Sequence, residues 1–273
     1  VNDMCTVDLG AGEACVVAGS SRGELTGLRV VGAGAALDVL EGADGPELDP
    51  ARIDASAITG VAANALTREV AAVSAAGRLS LLADPFDAAT ASALYDAKGA
   101  ATFTAVSWGD GADALLTAGL DGHVVLWDRR AGQAAAKVSF RPKGPGPGLV
   151  HAVEAKGSWV AAAHSRGCVA AWDARLAAEP VLQSGDAAWG EVWGVRLLDD
   201  APGDGCRAVF CTQSGLLATA SAARPAPRAL FRDTSGLTSL DVAWGAAGGP
   251  HEIVCTSDAE SLVVHSVPQG WAG

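Results

Sequence analysis

One unit recurs six times along this chain, and its spacing limits what the chain can fold into more than any other feature. The unit is a short apolar run of small and β-branched residues, a tight polar turn, and a second apolar run. Its turns read Arg22-Gly23, Ala76-Gly77, Asp121-Gly122, Arg166-Gly167, Ser214-Gly215 and Ala259-Glu260. Between the second turn residues the steps are 54, 45, 45, 48 and 45 residues, and regular self-similarity on that scale marks a radial or solenoidal array. The runs alternate with period two and hold no apolar face at helical spacing, so the array is built of strands. A turn Gly supplies the positive φ that a tight hairpin demands.

The third copy extends to four strands, Phe103 to Trp108, Leu115 to Gly119, His123 to Asp128 and Ala135 to Phe140. Four strands per repeat describe the blade of a β-propeller. The expected architecture is therefore all-β, with blades at about 1–41, 52–96, 102–141, 148–183, 190–231 and 236–267 of a single domain, 1–273. A seventh blade, degenerate or missing, stays open at this point. Met4 to Leu9 either completes the last blade or forms the inner strand of the first. Gly42-Ala43-Asp44-Gly45-Pro46 and the stretch from Pro142 to Gly148 are expected to be loops.

Trp127-Asp128 and Trp172-Asp173 both fall five residues after a turn Gly and lie 45 apart. The pattern resembles the WD-repeat family, in which such a pair ends the third strand of a blade. The resemblance implies structural roles for Asp121, Trp127, Asp128, Trp172 and Asp173, with Asp121 and Trp127 as the remnant of the family's His, Ser/Thr, Trp and Asp network. Only two of the six copies keep Trp-Asp, and no copy is preceded by the family's usual Gly-His dipeptide. Trp108, Trp193 and Trp244 are expected on innermost strands, filling flat faces between blades.

Composition narrows the function classes. Apolar residues at 49% against 18% charged provide material for a core. A net charge of -12 disfavours a nucleic-acid or anionic-membrane grip, which needs excess Lys and Arg on the contacting face. The six cysteines, Cys5, Cys15, Cys168, Cys206, Cys211 and Cys255, form no C-x-x-C pair. They read as small buried hydrophobes in a reducing compartment. No N-x-S/T acceptor, signal peptide or long apolar run is seen, which argues against secretion and membrane spanning.

No catalytic, cofactor or metal residue is expected. No P-loop, G-x-S-x-G elbow, H-E-x-x-H or dinucleotide glycine motif occurs. His151 and His265 read as core or edge histidines within strands, and His123 as a solvated turn residue. Gly109-Asp110-Gly111 and Gly203-Asp204-Gly205 are turn sequences, and Asp199-Asp200 a solvated pair. Trp127-Asp128-Arg129-Arg130 and Trp172-Asp173-Ala174-Arg175 share the spacing W-D-x-R. It resembles the box by which some WD-repeat proteins dock onto the adaptor of a cullin-RING ubiquitin ligase, which makes Arg130 and Arg175 candidate partner contacts. The plainer alternative has each Arg capping its strand end beside a carboxylate.

Several segments in order resemble the small WD-repeat nucleoporins of the Y-shaped outer-ring complex of the nuclear pore. They are Thr117-Ala118-Gly119 with Asp121-Gly122, Leu149-Val150-His151-Ala152-Val153, Trp172-Asp173-Ala174-Arg175 leading to Glu179-Pro180-Val181, and Glu191-Val192-Trp193. The closing stretch is the most specific, Ser239-Leu240-Asp241-Val242 followed by Cys255-Thr256-Ser257-Asp258-Ala259-Glu260-Ser261-Leu262-Val263-Val264. That family has seven blades. The resemblance implies a non-catalytic scaffold at the nuclear envelope that binds helical-solenoid nucleoporins and supports nucleocytoplasmic transport of mRNA and protein. A cytoplasmic substrate receptor for ubiquitin ligation is the alternative.

Overall fold

The computed structural model describes residues 2–33, 36–39, 48–84, 87, 90–131, 135–143, 148–176, 179–198, 205–243 and 250–268. Gly42 to Pro46, Asp199-Asp200, Gly203-Asp204 and Trp244, singled out above, lie outside the described residues, as does 144–147. The architecture is all-β: six small antiparallel sheets follow one another as the blades of a six-blade β-propeller.

The first sheet runs β1 (Asp3–Gly10), β2 (Glu13–Gly19), β3 (Glu24–Ala33) and β4 (Ala36–Val39), with β5 (Leu48–Arg52) also paired to β3. The second holds β6 (Ile58–Ala63), β7 (Val70–Ser74), β8 (Arg78–Leu82) and β9 (Ala91–Asp96). The third holds β10 (Phe103–Trp108), β11 (Ala114–Gly119), β12 (Val124–Asp128) and β13 (Ala135–Phe140). Then follow β14 (Val150–Lys156), β15 (Trp159–His164), β16 (Cys168–Asp173) and β17 (Leu182–Gly185) in the fourth, and β18 (Val192–Leu198), β19 (Arg207–Thr212), β20 (Leu216–Ser221) and β21 (Arg228–Arg232) in the fifth. Among the described residues the sixth has three strands, β22 (Leu237–Ala243), β23 (His251–Ser257) and β24 (Leu262–Val267).

One expectation changes, and one open alternative closes. The first blade does not stop near 41, because β5 returns to β3 and carries the sheet to Arg52. The inserted stretch thus contains strand on both sides of its undescribed centre. Met4 to Leu9 is the inner strand of the first blade, paired with β2 from Asp3 to Gly10.

The chain divides into two compact units, 1–120 with 125–137, and 121–124 with 138–273. In the first, Val7, Cys15, Val17, Leu25, Ile58 and Val61 form one buried cluster between neighbouring sheets. Asn2 Nδ2 donates to Ile58 O at 2.8 Å, and Asp3 Oδ2 accepts from Val61 N at 2.8 Å, tying β1 to β6. In the second, Ala161, Ala163, Ala171, Ala208 and Ala218 surround Trp189, Leu197 and Phe210. Small residues let sheet faces approach, and the aromatic rings fill what remains. All six cysteines are free thiols, and burial pushes those of Cys5, Cys211 and Cys255 up to about 12. Such thiols are inert at neutral pH. No helix among the described residues is long and apolar enough to cross a membrane.

The turn glycines have a second role besides their positive φ. The chain leaving each outer strand crosses directly over the turn: Asp54 N, Ala97 N, Asp186 N and Asp233 N donate to the carbonyls of Gly23, Gly77, Gly167 and Gly215. A Cβ on Gly23 would stand 2.2 Å from Asp54 O, one on Gly167 2.3 Å from Asp186 O, and one on Gly215 2.4 Å from Asp233 O. Gly23→Ala should therefore cost roughly 2 kcal/mol or more, since strained φ and a backbone clash combine. Thermal unfolding of the variant checks this, and an unchanged midpoint contradicts the crossover geometry.

Candidate functional site

Two sets of residues carry chemistry. The first sits at the ends of β12 and β16. Trp127 is 4% exposed and Trp172 1%. Trp127 Nε1 donates to the buried Thr117 Oγ1 at 2.8 Å, and its ring lies 4.7 Å from Tyr95 and 6.4 Å, edge-on, from Phe103. Trp172 packs on Phe140 with ring centres 5.7 Å apart. Asp121, read from the sequence as the companion of Trp127, instead accepts from His123 N at 3.1 Å and stands 3.1 Å from His123 Nδ1. Trp127 finds its hydroxyl on the neighbouring strand because antiparallel pairing brings β11 beside β12, whereas Asp121 belongs to the turn.

The two W-D-x-R ends share one geometry. Arg130 Nε and NH2 meet Asp128 Oδ1 and Oδ2 at 3.0 and 2.9 Å. Arg175 Nε and NH2 meet Asp173 Oδ1 and Oδ2 at 2.9 and 2.5 Å. Both Arg side chains stay largely exposed while forming these two-pronged pairs, as the capping alternative describes. The Arg175 guanidinium holds the Asp173 carboxyl below its usual range. A surface pair of this kind contributes little to stability, so the Arg130→Ala/Arg175→Ala double variant should melt with the parent; a markedly lower midpoint would give these arginines a structural role.

The adjoining Arg129 is a residue that sequence reasoning passed over. It bonds Glu69 through NH1 and NH2 at 2.5 and 3.0 Å, donates to Ala112 O at 3.0 Å, and lies 5.8 Å from the Trp108 ring. Glu69 is held below its normal carboxylate range by that guanidinium. Trp108 Nε1 in turn donates to Ala62 O at 3.0 Å. Trp108, Arg129 and Glu69 thus link the second and third sheets.

The second set lies along the inner strands. In five of the six, the ladder slips by one residue near the strand start, and the extra residues are Thr59, Thr104, His151, Trp193 and Thr238. A bulge turns one side chain out of the pleat. Thr59 Oγ1 uses this to reach Val73 O at 3.2 Å and Phe103 O at 2.8 Å, and Thr104 Oγ1 reaches Ala118 O at 3.1 Å. In the fourth and fifth blades the same places hold rings instead: His151 and Trp193 stack with centres 4.0 Å apart, inclined by 31°. Trp108 and Trp193, grouped above as inner-strand residues, therefore occupy opposite ends of their strands.

Beside this stack, His151 Nε2 stands 3.0 Å from Glu191 Oε2 but outside hydrogen-bond alignment. Burial lowers the His151 pKa and outweighs the opposing pull of Glu191. Near it, His164 is 0% exposed, with no hydrogen-bond partner for either ring nitrogen among the described residues. Burial, with a smaller contribution from His151, lowers its pKa to about 4. His164 was not singled out in the sequence, though its place in the repeat signals it. The equivalent residues are Ser20, Ser74, Gly119, Thr212 and Ser257, and the hydroxyls of Ser20, Ser74 and Thr212 accept from the backbone N of Glu24, Arg78 and Leu216. His265 lies half-buried on β24.

On the same inner strands, Arg196 Nε lies 3.0 Å from Asp241 Oδ1 and 4.0 Å from Glu154 Oε1, and Leu197 N donates to Glu154 Oε2. Burial pushes the Glu154 carboxyl up to about 7 against the pull of Arg196. Among the described residues no group of three or more His, Cys, Asp or Glu side chains is placed to hold a metal ion. What the two sets provide is exposed Arg-Asp pairs, a stacked ring pair and buried titrating groups.

No family model and no curated protein matches the chain. Among solved structures, the computationally designed Ika8 protein is similar in fold, with a TM-score of 0.59 at 17% identity over 97% of this chain and 96% of that one. At that identity the likeness bears on the fold alone.

Proposed function

We propose that this chain is a non-catalytic, protein-binding scaffold of the WD-repeat type, and within that class a structural subunit of the outer ring of the nuclear pore. The observation that carries the WD-repeat reading is the pair of strand ends, 45 residues apart, at which a buried Trp precedes an Asp clasped by Arg with one geometry at β12 and β16. Rigid sheets presenting variable connecting loops suit the gripping of other proteins. The ordered segment resemblances from Thr117 to Val264 support the nuclear-pore assignment, with helical-solenoid nucleoporins as the partners and the nuclear envelope as the location. Tagging the protein in cells and imaging it tests the assignment: rim fluorescence with co-purifying solenoid nucleoporins is expected, and diffuse fluorescence without them overturns it.

The largely exposed guanidiniums of Arg130 and Arg175 favour one second reading, docking to a ubiquitin-ligase adaptor. Each is already engaged by its own Asp, and docking would have to compete with that pair. Co-purification of the adaptor, lost in the Arg130→Ala/Arg175→Ala variant, is the outcome that reading requires.

A further inference from the structure

We propose that the outer edge of β24 in the sixth blade accepts an extended strand from a basic, apolar segment of a partner protein. In the second, third, fourth and fifth sheets a fourth strand lies against the third, whereas among the described residues no strand pairs with the outer side of β24. The burial of the third strands records the difference. β16 and β20 are buried along almost their whole length, while β24 leaves Leu262 and Val264 exposed at 65% and 54%. An open edge strand with free backbone groups is a template for strand addition.

The turn before β24 separates this blade from the others. Where Gly23, Gly77, Gly167 and Gly215 let the chain cross over, position 260 is Glu at φ 56. A side chain stands where a Cβ at the other turns would collide with the crossing backbone. The crossing contact made at those four turns thus has no room at Glu260, and a strand supplied by another molecule does not need it.

Charge selects the chemistry of that strand. Along β23, β24 and the turn between them, His251 to Val267, the chain has three carboxylates, Glu252, Asp258 and Glu260, and no Lys or Arg. Across the ladder, Glu252 faces Ser266 and Val254 faces Val264, so the acidic residue shares a face with the exposed aliphatic ones. Lys stems can cover Leu262 and Val264 while their ammonium groups reach the carboxylates. Apolar residues at alternate positions would extend the face of Val263 and Val267, which packs inward. A second copy of this chain offers the same acidic edge and is repelled.

The inference specifies a surface for the scaffold reading and rests on it. Its test is amide hydrogen exchange of the full chain, alone and with a blocked peptide of alternating Val and Lys, against an alternating Val and Glu peptide. With the Val-Lys peptide, exchange in 262–267 should slow by about tenfold or more, less so in high salt, and not with Val-Glu. Glu252→Lys with Glu260→Lys should abolish the slowing. Equal slowing by both peptides, or none, overturns the proposal. So does slow exchange of 262–267 in the free protein, which would mean that the edge is already covered by its own chain or by a second copy. Loss of rim fluorescence in cells leaves this readout unchanged, so the two failures are distinguishable.

Discussion

Replacing Trp172 with Ala should destabilise the protein by roughly 3 to 5 kcal/mol, the range for emptying a large buried aromatic site. The indole is 1% exposed and lies against Phe140, in a part of the fourth blade lined by residues of near-zero exposure. Val160, its ladder partner, and the fully buried Ala170 and Ala171 before it are anchored in strands and cannot collapse into the void. Trp127→Ala should cost a similar amount, with one addition. Its Nε1 serves Thr117 Oγ1, which is fully buried and would be left without that partner. Trp127→Phe, which keeps most of the ring and loses the donor, should therefore cost more than Trp172→Phe relative to the respective Ala variants. Chemical denaturation of the four variants measures this. Midpoints indistinguishable from the parent in both Ala variants would remove the Trp-Asp strand ends from the fold's support.

The blades were legible because their chemistry is local. A period-two apolar run and a turn Gly are set within a dozen residues, and the strands of the third copy fall within a residue of where the sequence puts them. What escaped depends on neighbours far along the chain. Gly23 is readable as a turn residue, but its contact with Asp54 O, 31 positions on, is set by packing. The same holds for β5, whose partner β3 lies across an insertion, and for Arg129, whose partner Glu69 belongs to the preceding blade. The Thr117 partner of Trp127 escaped for a related reason: it sits on the neighbouring strand, while Asp121 bonds within its own turn to His123.

Of the chemistry-bearing residues, the sequence singled out Arg130, Arg175 and His151 individually but not the bulge that brings His151 onto Trp193. A bulge is one extra residue in a ladder, and it leaves no mark on composition. Once the five bulges are aligned, the pattern is plain. Thr recurs where the side chain serves backbone carbonyls, and rings appear only in the fourth and fifth blades. The exchange trades hydrogen bonds to backbone carbonyls, within a blade and from the second blade to the third, for a flat stacked pair flanked by a carboxylate.

Acidification should reveal the buried histidine. The pKa of His164 is depressed from 6.5 to about 4 on folding, so between those values the unfolded chain binds the proton that the folded chain refuses. Stability must then fall as pH drops from 6.5 toward 4, by up to roughly 3 kcal/mol, and this contribution is flat above 7.5. Glu154 acts with the opposite sign. Its carboxyl is raised to about 7 in the folded state from 4.5, so folding takes up a proton between those values and stability rises as pH falls through the same window. The two effects oppose one another in the parent protein, and substitution separates them. His164→Thr, which installs the side chain that the fifth blade carries at Thr212, should remove the acid-induced loss and leave a protein more stable at pH 5 than the parent. Glu154→Gln should remove the compensating gain and steepen the loss. Urea unfolding at pH 5 and pH 8 decides it: equal pH dependence in the parent and His164→Thr would mean that folding leaves the His164 proton affinity unchanged.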